Sequence, residues 1–463
     1  MLSLCDSDRR CGRREFLRIG GLTLGGLSLT DLLAARAAAA EQARLVTDKS
    51  VIFLFLHGGP SQFETFDPKM SAPAEVRSAT GELATRIPGL TFGGTFPRLA
   101  ALADKLTIVR SFATGDGNHD IKPIVSRDSL GANLGSIYSR VGGANRAATG
   151  IPANVALYPQ AVDAESLPAV KNFGDFEATG TLGKAVAPFV PSGKGEMQQA
   201  MRLALPLARL DDRRSILSQI DRVRWQADAG LLDGLDRLRE QAYRVILGSV
   251  ADAFDVGKED AATLARYDTS TLIRPEAISR RWNNHRNYRD HSQTLGKLLL
   301  LARRLCEAGC GFVTVTTSFV WDMHADVNNA DVVEGMGYMG MPLDYALAAL
   351  IEDLEARGLD DRVLVVVCGE MGRTPRLNAR GGRDHWGNLA PLLLYGGGLP
   401  KGRVIGQSTR NGGEPLSDRV TIKNLLGTVL QTLLNTAEVR ITRGVPSEID
   451  RLLADAEPIA GLI

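Results

Sequence analysis

Continuous apolar runs, separated by polar and glycine-rich segments, are the clearest pattern along the chain. The run at 51–56 is apolar throughout and ends at a His-Gly-Gly-Pro sequence. Similar runs recur at 106–109, 311–317, 362–368 and 391–395. Runs of this length, bounded by turn-forming residues, are typical of strands that are buried on both faces of a parallel sheet. The pattern therefore predicts an α/β fold with a mostly parallel central sheet.

Helical spacing of apolar residues marks two further segments. Residues 343–357 repeat apolar side chains at intervals of three and four and stop before Gly358, a favourable helix end. Because this segment separates two predicted strands, it indicates a strand–helix–strand crossover. A longer stretch, 210–308, has helical spacing and almost no strand pattern. We expect it to form a helical insertion that packs on the sheet.

The N-terminus has the order of a secretory signal. Arg13 and Arg14 precede a short, glycine-rich apolar stretch at 19–33 and an alanine-rich tail that ends at Ala40. Paired arginines in this position mark the twin-arginine export route. The apolar stretch is shorter than the roughly 20 residues that a membrane-spanning helix needs. We therefore expect residues 1–40 to be a removable signal, with no membrane span after its removal and a periplasmic or extracellular location.

Composition limits the function classes open to the rest of the chain, 41–463, which we expect to form one domain. Over the full sequence the 54 basic and 53 acidic residues nearly cancel, so the chain lacks the electrostatic signature of nucleic-acid binding. Three cysteines follow the signal: Cys306, Cys310 and Cys368. Their odd number excludes a complete set of disulfide bonds within the chain, and buried free thiols are the simpler expectation.

Polar residues that suit metal binding follow the later apolar runs. Asp322 and His324 come after the third run, Glu370 and Arg373 follow the fourth, and His385 precedes the fifth. Each pair alone also fits an ordinary hydrogen-bonded loop. Because the carboxyl ends of parallel strands meet at one edge of a sheet, the residues together predict a metal site there. Mixed nitrogen and oxygen ligands favour zinc or manganese, and calcium stays possible.

The end of the first predicted strand carries a second polar group. His57 opens a His-Gly-Gly sequence of the kind found in esterase oxyanion loops, but the chain has no Gly-x-Ser-x-Gly nucleophile sequence, which excludes an ordinary serine hydrolase. Ser61 fits either a ligand-facing hydroxyl or a turn residue. His119 lies in a glycine-rich loop that can reach the same edge. His285 and His291 lie in a polar stretch and are expected on a solvated helix face.

Several motifs resemble one family in their order along the chain. They are, with the twin-arginine signal, residues 58–61 and 65–69, 108–111 with His119, 301–305, 321–324, 369–375 and 382–386. Together they resemble domain-of-unknown-function family 1501, within the alkaline phosphatase/sulfatase-like superfamily. The resemblance spans nearly the whole chain after the signal.

The resemblance implies a fold and a set of ligands. The superfamily fold is a three-layer sandwich, and its active members hold one or two divalent cations at the carboxyl edge of the sheet. In the superfamily's order of ligands, Asp322, His324, Glu370 and His385 would hold the metal. Arg373 would bind the anionic group of the substrate.

The other half of the implied site departs from the superfamily pattern. His57 would be a further ligand where relatives usually have aspartate, and Gln62 stands where many relatives have histidine. Ser61 and His119 would be catalytic residues. The chain has no Cys-x-Pro-x-Arg sequence, which excludes the formylglycine route of common sulfatases.

These features predict an exported, metal-dependent hydrolase of phosphate or sulfate esters, with a small molecule or a glycan ester as its substrate. Hydrolysis would proceed by attack of a metal-activated nucleophile. The altered end of the first strand keeps an alternative open. In that alternative the protein keeps the fold and the metal but acts as a non-catalytic binding protein.

Overall fold

The computed structural model of the protein describes residues 44–146, 149–191, 250–317 and 319–463. The predicted signal, 1–40, and part of the predicted helical insertion, 210–249, lie outside the described residues. The strands are β1 (Ser50–Phe55), β2 (Glu82–Ala84), β3 (Thr91–Gly93), β4 (Thr107–Val109), β5 (Phe112–Ala113), β6 (Asn154–Leu157), β7 (Phe312–Thr316), β8 (Val363–Cys368), β9 (Gly372–Arg373), β10 (His385–Trp386), β11 (Leu392–Gly396), β12 (Arg403–Ile405), β13 (Gln407–Ser408), β14 (Pro415–Ser417) and β15 (Val420–Thr421). The α-helices are α1 (Pro97–Ala101), α2 (Leu134–Gly142), α3 (Ala251–Phe254), α4 (Ala261–Tyr267), α5 (His285–Glu307), α6 (Val332–Ala356), α7 (Ile422–Leu433), α8 (Thr436–Ile441) and α9 (Ser447–Asp455).

Seven strands form the central sheet, in the order β12-β4-β11-β8-β1-β7-β6. Strand β11 runs antiparallel to both of its neighbours, and all other neighbouring pairs are parallel. The five strands predicted from apolar runs are all present, which confirms a mixed α/β fold with a mostly parallel sheet. Strands β6 and β12 were not predicted, since one is only four residues long and the other is largely exposed.

Side chains of β1 alternate between two hydrophobic clusters on opposite faces of the sheet. Ile52 and Leu54 belong to the cluster that includes α5 and α6. Phe53 and Phe55 belong to the cluster that includes α2 and α7. All six residues of β1 are buried, as expected for a central strand with helices on both faces.

The long helix α6 extends further toward its N-terminus than the sequence pattern predicts. It begins after Asp331, whose side chain accepts a hydrogen bond from the backbone N–H of Glu334, and Pro342 lies inside it. The spacing of apolar residues indicated a helix only over 343–357, so the segment from Val332 to Pro342 was missed. The C-terminal end agrees with the prediction, since Gly358 has a φ of 64°.

Helix α5 packs against β1, β7 and α6, so residues 285–307 lie directly on the sheet. The prediction of a solvated histidine on this helix was wrong for His291, which is completely buried. Its two ring nitrogens meet Thr317 Oγ1 at 2.7 Å and the carbonyl oxygen of Met339 at 3.0 Å. The prediction of buried free cysteines is confirmed for Cys306, Cys310 and Cys368. None of the described helices combines the length and apolar character that a bilayer crossing requires.

Candidate metal centre

Four side chains converge near the carboxyl ends of β7 and β8. His119, Asp322, His324 and His385 each offer one ligand atom, and these atoms lie within 4.8 Å of one another. His324 Nε2 is 2.7 Å from Asp322 Oδ1 and 2.8 Å from His385 Nε2. Two imidazole nitrogens so close together need a proton or a cation between them. Three imidazoles and one carboxylate are a donor set that fits zinc or manganese.

Local backbone geometry brings the ligands to one edge. Asp322 and His324 follow β7, and His385 lies in β10, which pairs with β9 after the end of β8. The loop after β7 crosses directly over the end of β1, where a Cβ on Gly58 would lie 2.9 Å from the backbone nitrogen of Asp322. Gly58 also has a φ of 119°, so the crossing depends on glycine.

His119 reaches the group from the loop after β5. The backbone N–H of Gly115 donates to the carbonyl oxygen of Gly387 at 2.9 Å, which ties this loop to the segment that follows His385. A Cβ on Gly387 would lie 2.3 Å from the carbonyl carbon of Asp116. The close approach of these two backbones therefore places His119 beside His385, with ring centroids 4.3 Å apart.

Two of the histidines have a carboxylate on the ring nitrogen that faces away from the group. Glu370 Oε1 is 2.9 Å from His119 Nδ1, and Asp384 Oδ1 is 3.2 Å from His324 Nδ1. This arrangement fixes the tautomer and leaves Nε2 as the ligand atom, as is usual for metal-binding histidines. Both oxygens of Glu370 also accept from the backbone N–H of Gly58, at 2.9 and 3.2 Å.

Asp322 is held as a charged group. Burial alone raises the pKa of its carboxyl, but the Arg373 guanidinium and hydrogen bonds from the three histidines outweigh burial and hold the pKa well below its usual range. Arg373 Nη2 donates to Asp322 Oδ1 at 2.7 Å. The amide of Asn329 donates to the other oxygen, Oδ2, at 3.2 Å.

Arg373 itself is only 1% exposed. Its guanidinium donates to the carbonyl oxygens of Gly58, Gly59 and Arg383 as well as to Asp322. The backbone carbonyl oxygen of Arg373 accepts from Gln62 Nε2 at 2.8 Å, and its backbone N–H donates to Gln62 Oε1 at 2.9 Å. This placement makes Arg373 a positioning partner of Asp322 and does not support the predicted direct contact with an anionic substrate.

The pKa of His119 is raised, whereas burial ordinarily lowers the pKa of a histidine. Burial lowers the pKa of its ring, but the Asp322 and Glu370 carboxylates outweigh burial and raise the pKa above its usual value. Without a cation, this ring therefore keeps a proton to a higher pH than an ordinary histidine does. Because a ligand nitrogen must be deprotonated, protons compete with the metal at His119.

Two predicted site residues lie in other surroundings. His57 is 1% exposed and is enclosed by the rings of Phe55, Phe173, Phe176 and Phe319, at centroid distances of 5.4 to 6.1 Å. Within the described residues its two ring nitrogens have no hydrogen-bond partner. Burial lowers the pKa of His57, which favours the neutral form of its ring.

The hydroxyl of Ser61 points into a buried ion-pair network. It donates to Glu64, whose other oxygen is 3.1 Å from Arg383 Nη2, and both charged side chains are completely buried. The same hydroxyl oxygen accepts from the backbone N–H of Phe63 at 3.2 Å. These contacts are those of a turn residue and do not support Ser61 as a nucleophile.

The predicted and observed groups overlap in part. Asp322, His324 and His385 come together as the sequence order indicates. His119, predicted as catalytic, joins them, whereas Glu370, predicted as a ligand, lies behind His119. Asn329 and Asp384 were missed. Asp384 had a sequence signal, since it precedes His385, but nothing in the sequence pattern distinguishes Asn329 from its neighbours.

The fold and the site together define an α/β protein with a candidate divalent-cation centre. A family model matches residues 48–462, and the chain belongs to the family described as protein of unknown function (DUF1501). The predicted family is thereby confirmed. No curated protein is recognisably similar in sequence.

Similar solved structures include two kinds of hydrolase. One is a sulfatase from Pseudoalteromonas sp., at 12% identity and a TM-score of 0.36, covering 92% of this chain and 75% of that one. A second is a phosphonate monoester hydrolase from Silicibacter pomeroyi, at 12% identity and a TM-score of 0.28, covering 83% and 73%. A third is the phosphonate monoester hydrolase of Agrobacterium radiobacter, at 10% identity and a TM-score of 0.32, covering 82% and 73%.

Proposed function

We propose that the protein is an exported, metal-dependent hydrolase of phosphate or sulfate esters, built on an alkaline phosphatase-like three-layer sandwich. The observation that carries the proposal is the convergence of one carboxylate and three imidazoles within 4.8 Å. A divalent cation held there, with zinc or manganese favoured over calcium, would supply Lewis-acid polarisation of the ester and activation of water. Export is supported by Arg13, Arg14 and the apolar segment that follows them.

The surrounding residues orient the candidate ligands and keep Asp322 ionised. Glu370 and Asp384 direct the Nε2 atoms of His119 and His324 toward the cation. Arg373 keeps Asp322 ionised. A cleft of about 570 Å³ opens beside His119 and Asp322 and gives a substrate access to the group. Its volume is within the range of roughly 300–1,000 Å³ that is usual for small-molecule sites.

The proposal is tested by metal content and turnover in the same preparations. We expect the wild-type protein to bind zinc or manganese near stoichiometrically and to release phosphate or sulfate from an ester panel. Asp322→Ala and His385→Ala should each lose both properties. Asp48→Ala, which changes an exposed aspartate, is the matched control and should keep both. Full activity in either site variant would overturn the assignment.

A non-catalytic, metal-stabilised binding protein is the second candidate. Four protein donors are enough to close a tetrahedral zinc site, whereas catalytic zinc sites keep one position open. His57, at the position where the superfamily usually has a ligand, is surrounded by phenylalanine rings. X-ray absorption of the metal-loaded protein separates the two candidates. A closed four-ligand shell without turnover favours the binding protein, and an additional exchangeable oxygen with turnover favours the hydrolase.

A further inference from the structure

The cleft beside the metal centre is lined by two chemically different groups of residues. One group is the segment 167–173, which is mostly apolar and ends at Phe173. The other consists of asparagines, Asn284, Asn287, Asn328 and Asn329. A ligand that fills this space has to satisfy an apolar surface and a set of neutral amides at the same time.

Phe173 and Phe319 form the aromatic part of the lining. Their rings are stacked, with centroids 4.8 Å apart and an interplanar angle of 18°. Each ring also lies 5.1 Å from the ring of His119, so the pair adjoins the metal centre. Phe319 and Val320 have φ angles of 68° and 106°. Non-glycine residues rarely adopt such angles, which cost on the order of 1–3 kcal/mol each. The ring of Phe319 is therefore held in place against a backbone cost, as is common at functional sites.

Three of these asparagines, with the neighbouring Asn283, form two contacts between side-chain amides. Asn283 Nδ2 donates to Asn328 Oδ1, and Asn284 Nδ2 donates to Asn329 Oδ1, both at 2.7 Å. Each amide group has two N–H donors and an oxygen with two lone pairs, so one such contact leaves capacity for a ligand's hydroxyl groups. The second contact continues to the metal centre, because Asn329 donates to Asp322.

The charges of the lining limit the ligand further. Lys171 is the one lysine or arginine among the described lining residues, and it forms ion pairs with Asp175 at 3.5 Å and Glu177 at 2.6 Å. Asp326 accepts hydrogen bonds from the backbone N–H groups of Asn328 and Asn329. Away from the metal centre, the described lining therefore offers no unpaired cation for a second anionic group.

Resting on the proposed function, we infer that the alcohol part of the ester is a neutral, polyhydroxylated ring, so that the substrate is a sugar carrying one anionic ester. The C–H face of such a ring packs on the phenylalanines, and its hydroxyl groups bond the asparagine amides. An alkyl ester leaves the amides without partners when it displaces water, which costs affinity. A second phosphate or sulfate on the ring would be buried without a counter-charge, which weakens binding.

Equilibrium binding tests the inference on the metal-reconstituted full chain. Isothermal titration compares hexose 6-phosphate and hexose 6-sulfate with the matched hexyl esters and with hexoses carrying two such groups. We expect the sugar monoester to bind at least tenfold more tightly than either comparison. Phe173→Ala and Asn328→Ala should each weaken the sugar monoester about tenfold, and Asn328→Ala should not weaken the hexyl ester. Val327→Ala changes an exposed neighbour and serves as the control. Unchanged thermal unfolding shows that the variants are folded.

The outcomes separate the inference from the proposed function. Equal or tighter binding of the hexyl ester or of the doubly charged hexose overturns the inference, as does an unchanged sugar affinity in both cleft variants. Turnover of simple esters without any preference for sugar esters also overturns it, while the hydrolase proposal stands. Tight, variant-sensitive binding of the sugar monoester without turnover upholds the ligand class and rejects hydrolysis.

Discussion

The hydrogen bond between Glu370 and His119 provides the sharpest test of the metal centre. Glutamine at position 370 has the same size and keeps an oxygen that can accept from the backbone N–H of Gly58. It cannot place a negative charge on His119 Nδ1, 2.9 Å away. Replacing such an outer partner usually costs about 10- to 100-fold in metal affinity, or about 1.4–2.7 kcal/mol. Glu370 is fully buried and no solvent can replace its charge, so we expect a loss near the upper figure.

Asp384→Asn is the matched comparison, because Asp384 makes the same kind of contact with His324 at 3.2 Å. Its side chain is 60% exposed, so water screens the charge and can replace the lost contact. We expect a loss of less than about threefold at this position. Competition against a fluorescent zinc chelator, at fixed pH and ionic strength, measures both affinities. Equal losses in the two variants, or a change below twofold in Glu370→Gln, would refute the argument that burial makes Glu370 important.

Three further predictions test the loop packing, a buried histidine and the export signal. Gly387→Ala should displace the His119 loop and weaken zinc binding in the same chelator competition, whereas Gly337→Ala, whose Cβ has open space, should not. Burial lowers the pKa of His291 from 6.5 to about 4, so as pH falls through this window the unfolded chain binds a proton that the folded chain does not. The free energy of unfolding should therefore fall by about 2–3 kcal/mol between pH 7 and 4.5. In His291→Gln this pH-dependent loss should be absent, as measured by denaturant titrations of the metal-free protein. Replacing Arg13 and Arg14 with lysine should leave the precursor in the cytoplasmic fraction; normal export of that variant would reject the twin-arginine route.

The central sheet was predictable because its strands are buried on both faces. Such strands are apolar at most positions, and 363–368 shows this as clearly as 51–55. The short strand 403–405 is largely exposed, so its sequence carries no apolar run. Helix positions before residue 343 were missed because the spacing of apolar residues was clear only from 343 onward, whereas the helix begins at Val332 and continues through Pro342.

The site was predictable in its location but not in the role of each residue. Strand order determines which loops meet, and this was enough to bring Asp322 and His385 together. It does not determine which side chain reaches the centre. The carboxylate of Glu370 accepts a hydrogen bond from the backbone N–H of Gly58 and contacts His119 Nδ1, on the side of the ring that faces away from the candidate metal. His291 was misplaced because its neighbours in sequence are polar, while its helix packs against both the sheet and α6.

The charges of the buried groups connect metal binding with substrate binding. Asp322 and Glu370 contribute two negative charges and Arg373 one positive charge, so with neutral histidines these buried groups sum to −1. A divalent cation changes that sum to +1. The metal-free centre therefore attracts a proton, which agrees with the raised pKa of His119 and brings the sum to zero. The metal-loaded centre attracts the ester by the same Coulomb forces, strengthened by the low dielectric of the buried site. Anionic esters should accordingly bind more tightly after the metal, and the metal should bind more weakly as the pH falls through the titration of His119.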